Sequence, residues 1–204
     1  MDMDDLLVRE PAGAASADMR SQTEDELLQR LTAFSFDEGA PALPFSARLA
    51  RENGWTLAYA ARVIEEYRRF MFLAVVSGHP VTPSDQVDQA WHLHLLYTRS
   101  YWDRFCKGVL RRRIDHHPTM GGQDEGAKFL RWYDDTMTSY RRHFGAPPVD
   151  IWPPAAVRFG DDLGQVRVNV RRNLVVSKAR LRLLTEVGTA AILLAMIAAS
   201  HWLP

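Results

Sequence analysis

The stretch from Thr56 to Val76 constrains the fold of this 204-residue chain more than any other part of the sequence. Apolar residues recur in it at helical spacing, and Phe70, Phe72 and Leu73 widen the apolar stripe beyond a single face. A surface helix needs only one apolar face, so a helix this apolar must be buried on more than one side. The residues at helical spacing are Leu57, Ala60, Ala61, Ile64, Tyr67, Met71 and Val75.

Four more helices are predicted from signals at their ends. Thr23 and Glu26 form the capping-box pattern, and Ser84 is a typical N-cap residue before Asp85. Gly54 is placed to close a short helix. The sequence therefore predicts an all-α fold, a compact bundle of about five helices. The predicted helices run from Thr23 to about Phe34, from Phe45 to Gly54, from Thr56 to Val76, from Asp85 to about Leu110 and from Glu125 to Phe144.

The formal net charge is +0, but charges of opposite sign concentrate in two segments. Residues 1–26 carry eight acidic and two basic side chains, whereas residues 158–182 carry seven basic and two acidic ones. A neutral total does not indicate nucleic-acid binding. The single cysteine excludes an internal disulfide bond. We expect a flexible acidic N-terminus at residues 1–22, a helical domain at residues 23–152 and a basic linker at residues 153–182.

Residues 183–204 are predicted to be a C-terminal transmembrane helix that anchors the chain. Residues 187–203 form an uncharged apolar run of 17 residues, at the short end of the roughly 17–25 residues that cross a bilayer as a helix. Lys178, Arg180 and Arg182 precede the run, and basic residues prefer the cytoplasmic side and anionic lipid. The prediction is a domain at the inner (cytoplasmic) membrane that faces the cytoplasm, with membrane lipid as a partner. The alternative is a buried C-terminal helix.

Side chains that carry chemistry concentrate between residues 85 and 118. This segment contains four of the seven histidines and the only cysteine, together with two tyrosines and two tryptophans. Successive residues of a helix are turned by about 100°, so His92 and His94 point to opposite faces. They are therefore not expected to bind one ion together. His92 instead aligns with Asp88, one turn earlier in the same helix.

Two metal-ligand sets are compatible with this spacing. The first joins Asp88 and His92 to His116 or His117 in the loop that follows the helix. The second combines Cys106 with the loop histidines, because Cys106 lies roughly 21 Å from His92 along an intact helix. Either set offers two nitrogens and a carboxylate or thiolate, which suits zinc or iron.

The same residues also have ordinary structural roles open to them. Asp88 and His92 are compatible with a simple helix pair. His94 is compatible with an aromatic core in which its ring is bonded to a carbonyl or a tyrosine hydroxyl. Cysteine is most often a small buried hydrophobic residue, and Cys106 is compatible with that role. The sequence His116-His117-Pro118 is also compatible with a polar turn.

The segment Trp91-His92-Leu93-His94, followed by Tyr97, Tyr101-Trp102 and Cys106, resembles the glycine-rich domain-containing protein-like family of bacteria and plants. The resemblance spans about Phe45 to Trp152 and also includes the His116-His117-Pro118-Thr119 segment. It implies a domain of unknown function without an assigned reaction. Plant relatives are linked to stress and development and carry a glycine-rich tail. This chain has 12 glycines and an apolar segment in place of that tail, so RNA binding suggested for the tail is not implied here.

Two functions of different classes remain open from the sequence. The first is an interaction or scaffold module with an unknown protein partner, in which the histidine-rich helix lines a pocket. The second is a metal-dependent enzyme that uses zinc or iron, with Tyr97 or Tyr101 near the substrate. Phosphate-loop, Cys-x-x-Cys and Gly-x-Ser-x-Gly motifs are absent from the sequence. The pocket candidates are Trp91, His94, Tyr97, Tyr101 and Cys106, and the metal-ligand candidates are Asp88, His92, His116 and His117.

Overall fold

The structure is a computed structural model that describes residues 12–37, 42–117, 123–160, 174–176, 182 and 185–186. The chain divides into two compact units, Met1–Gln165 and Val166–Pro204. The first unit is helical and has no strand among its described residues, which confirms the predicted helical class. Its α-helices are α1 (Ala12–Ala33), α2 (Phe45–Asn53), α3 (Leu57–Val76), α4 (Asp85–Leu96), α5 (Gln123–Phe144) and α6 (Ala155–Phe159), and a π-helix (Ser100–Leu110) follows α4.

Helix α3 is the centre of the bundle. It contacts α1, α2, α4, α5 and the π-helix. The residues that widen its apolar surface, Phe70, Phe72 and Leu73, are all buried, as is Tyr67. This arrangement agrees with the prediction that the helix is covered on more than one side, and it leaves α4 and the π-helix packed against a common partner.

Local capping explains where several helices begin and end. The hydroxyl of Thr56 accepts a hydrogen bond from the backbone N–H of Tyr59, and the hydroxyl of Ser84 accepts one from the N–H of Val87. Gly54 ends α2 with φ = 68°, a left-handed conformation that costs glycine little. These three ends lie at the predicted residues.

Two helices near the ends of the domain differ from the predicted ones. Helix α1 begins at Ala12 rather than Thr23. Its first turns are rich in alanine, which favours a helix without needing an apolar stripe. A short helix, α6, also interrupts the predicted linker, because Pro154 is suited to the start of a helix but not to its interior.

The predicted helix from Asp85 to Leu110 is two separate helices. Helix α4 ends at Leu96, where Tyr97 has φ = −89° and ψ = 61° and its N–H bonds the carbonyl of His94. The chain then forms an 11-residue π-helix, a conformation that is rare beyond a single turn and frequent at functional sites. The prediction of one continuous helix through this segment is therefore wrong.

No helix within the described ranges is both long and apolar enough to cross a membrane. The anchor predicted at residues 183–204 lies almost wholly outside those ranges, since only residues 185 and 186 of it are described. Within the second unit, residues 174–176 are exposed.

Candidate functional site

Three of the four predicted metal-ligand residues meet at one edge of α4. Nε2 of His116 lies 2.9 Å from Oδ1 of Asp88, and Nε2 of His92 lies 3.7 Å from Oδ2 of the same carboxylate. One ligand atom from each residue lies within 4.8 Å of the other two, and no further such group of three occurs in the described part of the chain. The carboxylate is thus shared by two imidazoles that approach from different elements.

The local fold explains why these side chains converge. Asp88 and His92 are four residues apart on α4, so they share a face of the helix. His116 comes from the segment after the π-helix, where Arg111 turns the chain with φ = 53°. The His116 ring also packs edge-on against the indole of Trp91, with centroids 4.5 Å apart. A helix face and a returning loop therefore build the site together.

The site is partly open to solvent. The side chains of Asp88 and His116 are each 18% exposed, whereas that of His92 is 50% exposed. The centroids of the two imidazole rings are 4.5 Å apart. This combination leaves the carboxylate sheltered and one imidazole accessible, so an ion or small ligand could reach the group from the His92 side.

His117, the fourth predicted ligand, is not part of this group. It is exposed, and residues 118–122, which follow it, lie outside the described ranges. Of the two loop histidines that the sequence offers as ligands, His116 is therefore the one that contacts Asp88.

His94 lies on the opposite side of α4, in the core. Its Nδ1 lies 3.0 Å from the hydroxyl of Tyr67 and its Nε2 lies 3.2 Å from the hydroxyl of Ser100. Burial, followed by the charge of Arg104, lowers the pKa of His94 to about 3. A neutral imidazole has one donor and one acceptor nitrogen, so two hydroxyls satisfy it completely. This is the structural role that the sequence left open, with a tyrosine as the partner.

The other pocket candidates also lie in the core or at its edge. Trp91, Tyr101 and Cys106 are buried, and Tyr97 is half-buried, with its ring 5.7 Å from that of Phe45. Burial raises the pKa of the Cys106 thiol, although hydrogen bonds from the backbone of Ile114 and from Tyr101 oppose that effect. Cys106 is therefore held as a buried thiol, and it is not one of the three grouped ligands.

Two surface grooves among the described residues are not lined by any of these candidates. One groove is bordered by Phe36, Ile64 and Arg68. The other is bordered by Arg62, Glu66 and Arg69. The histidine-rich helix thus contributes to the core and to the Asp88 group rather than to either groove.

Two polar arrangements were missed from the sequence. Glu66 is buried in the core, where its Oε2 accepts hydrogen bonds from the Tyr140 hydroxyl (2.7 Å) and the Trp152 indole (2.9 Å). Nε2 of His79 lies 2.7 Å from the hydroxyl of Ser139. The partners of Glu66 lie 74 and 86 positions away along the chain, so no local pattern signals that network.

Residues 39–131, just under half of the chain, match the model of a family described as UCP032817-like. The matched range contains the Asp88 group, α4 and the π-helix. The glycine-rich family name expected from the sequence is not supported by this match. No curated protein matches the chain, and no solved structure matches it. Over the part that carries the candidate site, the chain is therefore similar to a UCP032817-like domain of unknown function.

Proposed function

We propose that this helical domain binds a divalent transition-metal ion, zinc or iron, through Asp88, His92 and His116. The proposal rests on one observation, that one ligand atom from each of these three residues lies within 4.8 Å of the other two. Two imidazole nitrogens and a carboxylate oxygen are a ligand set that both zinc and non-haem iron accept.

The distances support this assignment. Bonds of about 2.0–2.2 Å in a tetrahedral zinc site separate neighbouring ligand atoms by about 3.4 Å. The separations of the Asp88 oxygens from the two imidazole nitrogens, 2.9 Å and 3.7 Å, lie on either side of that value. Rotation of the His92 side chain towards the Asp88 carboxylate would bring the longer separation closer to that value.

A site with three protein ligands has room for a water molecule or a substrate. Structural zinc sites usually have four protein ligands, whereas catalytic sites keep one position open. The half-exposed His92 leaves solvent access on its side of the group. The arrangement therefore favours a metal-dependent enzyme over a purely structural metal site. Tyr101 is not available to such a substrate, because its hydroxyl is buried and bonded within the protein.

The proposal is tested by elemental analysis of protein purified without a histidine tag or chelator. We expect about one equivalent of zinc or iron per chain, and loss of that metal in His92→Ala. Titration of metal-free protein with Co²⁺ gives a second measurement, because bound cobalt absorbs visible light according to its coordination. Metal below a tenth of an equivalent, together with no Co²⁺ spectrum, would contradict the proposal. The interaction or scaffold function with an unknown protein partner would then be the one to pursue.

Membrane attachment is a separate proposal that does not depend on the metal. Its support is the apolar run at residues 187–203 with the bases that precede it. Deletion of residues 183–204 should move the protein from the inner-membrane fraction to the soluble fraction. The anchor is wrong if the full-length protein is already soluble without detergent.

A further inference from the structure

We infer that Tyr101 is a positioning residue that holds His116 in place beside Asp88. The inference rests on the proposed metal site and adds to it the part of the fold that fixes its third ligand. The hydroxyl of Tyr101 accepts a hydrogen bond from the indole N–H of Trp91 (2.9 Å) and donates one to the carbonyl of Ile114 (2.6 Å). One buried hydroxyl thus links α4 to the segment that carries His116.

The link acts at both ends of the site. Ile114 is two residues before His116, so the bond to its carbonyl fixes the path of the main chain just ahead of the ligand. Trp91 precedes His92 on α4, and its ring packs edge-on against the His116 imidazole. The hydrogen bond from Trp91 to Tyr101 therefore orients the indole ring against which the His116 imidazole packs.

The position of Tyr101 depends on the break between α4 and the π-helix. Because α4 ends at Leu96 and the chain restarts at Ser100, Tyr101 packs back towards α4 with its ring 5.2 Å from that of His94. The side chain is completely buried. Burial raises the pKa of Tyr101, so the hydroxyl stays protonated and continues to donate to Ile114.

Groups that orient metal ligands from outside the coordination shell typically change metal affinity when they are removed. Their loss costs about 10- to 100-fold in affinity, because the ligand then has to be ordered as the metal binds. A hydroxyl that orders the His116 segment in advance should have an effect within that range.

The test compares Tyr101→Phe with Tyr133→Phe. Both tyrosines are completely buried, and each donates its hydroxyl to a backbone carbonyl of a distant loop, Ile114 (2.6 Å) and Pro153 (2.7 Å) respectively. Only the first lies beside the proposed site. The dissociation constant for Zn²⁺, measured by competition with a chromophoric chelator, should rise about 10- to 100-fold in Tyr101→Phe and less than about twofold in Tyr133→Phe.

A second measurement on metal-free protein separates the failure of this inference from failure of the metal proposal. The nuclear Overhauser effect between the Trp91 indole and the His116 imidazole should be present in the wild type and in Tyr133→Phe, and lost in Tyr101→Phe. An unchanged effect in folded Tyr101→Phe overturns the positioning role, whether or not the wild type binds zinc. If Tyr101→Phe does not fold, Trp91→Phe removes the donor to the same hydroxyl. An unchanged dissociation constant for Zn²⁺ in that variant overturns the inference. If the wild type binds no zinc, the inference is overturned when the amide-exchange protection of residues 114–116 is undiminished in that variant.

Discussion

Nε2 of His116 lies 2.9 Å from Oδ1 of Asp88, although the two residues are 28 positions apart in the sequence. The contact joins the loop after the π-helix to the first turns of α4. Only one of two adjacent histidines makes this contact, since His117 is exposed and is not grouped with Asp88, His92 and His116. The proposed metal site therefore makes different predictions for two neighbouring residues of the same type.

Replacement of His116 by alanine should abolish stoichiometric metal binding, because it removes one of three ligands. Replacement of His117 by alanine should leave about the same metal content as the wild type. Calorimetric titration of the metal-free variants with Zn²⁺ measures the dissociation constant of each. Equal losses in the two variants would show that the histidine loop binds metal in a different way from the one proposed.

His94 should remain neutral in the folded protein well below the pH at which a free histidine is protonated. Burial lowers its pKa to about 3, against about 6.5 for an exposed histidine. The ring nitrogen shifts of His94, followed by NMR from pH 7 to pH 4.5, should stay those of a neutral imidazole. A protonated ring at pH 5 in folded protein would contradict the assignment of its two hydroxyl partners.

The same depressed pKa makes the stability of the domain depend on pH. Below about pH 6.5 the unfolded chain binds a proton at His94 that the folded chain does not bind until about pH 3. The stability that neutral His94 contributes is therefore fully present above that window and is lost as the pH falls through it. The loss is about 1.4 kcal/mol per pH unit from this group. Urea unfolding at several pH values should show a steeper decline for the wild type than for His94→Gln, whose amide still bonds hydroxyls. Equal slopes would contradict the prediction.

Adjacent glutamates on α3 should differ strongly in their effect on stability. The side chain of Glu66 is 7% exposed and bonds Tyr140, Trp152 and Arg69, whereas that of Glu65 is 60% exposed and pairs with Arg68. Glu66→Ala leaves buried donors without an acceptor and should lower the free energy of unfolding by about 3 kcal/mol. Glu65→Ala should lower it by less than about 0.5 kcal/mol. Similar losses from chemical denaturation of the two variants would exclude the buried network as the cause.

Cys106 should react slowly with thiol reagents while the protein is folded. Its side chain is 3% exposed, and burial raises the pKa of the thiol, so little thiolate is available. Modification by an aromatic disulfide reagent should follow unfolding in urea rather than precede it. Rapid labelling of native protein at pH 7 would show that the π-helix opens to expose the thiol.

Much of the bundle could be predicted because its signals are local. The N-caps at Thr56 and Ser84 and the left-handed Gly54 are decided by residues within one turn of each other, and all three lie where the sequence places them. The opposite faces of His92 and His94 follow from the turn per residue of any helix, and here one side chain is half-exposed while the other is buried. Such features need no knowledge of distant parts of the chain.

The break after Leu96 and the burial of Glu66 depend on distant partners. The residues from Tyr97 to Ser100 contain no glycine or proline to mark the end of a helix, and the break serves the contacts of Tyr101 with Trp91 and Ile114. Glu66 follows another glutamate in the sequence and gives no sign that one of the pair is enclosed by Tyr140 and Trp152. In both cases long-range packing outweighs the local pattern.

The short distance between Asp88 and His116 also has a consequence for how the domain unfolds. A bound ion would hold together residues that are 28 positions apart, so unfolding would separate its ligands and release it. Since the ion favours the native state by mass action, excess metal at about 100 times its dissociation constant adds about 2.7 kcal/mol to stability. If the proposed site binds metal, the melting temperature should therefore rise with metal occupancy, and a chelator should lower it in a dose-dependent manner.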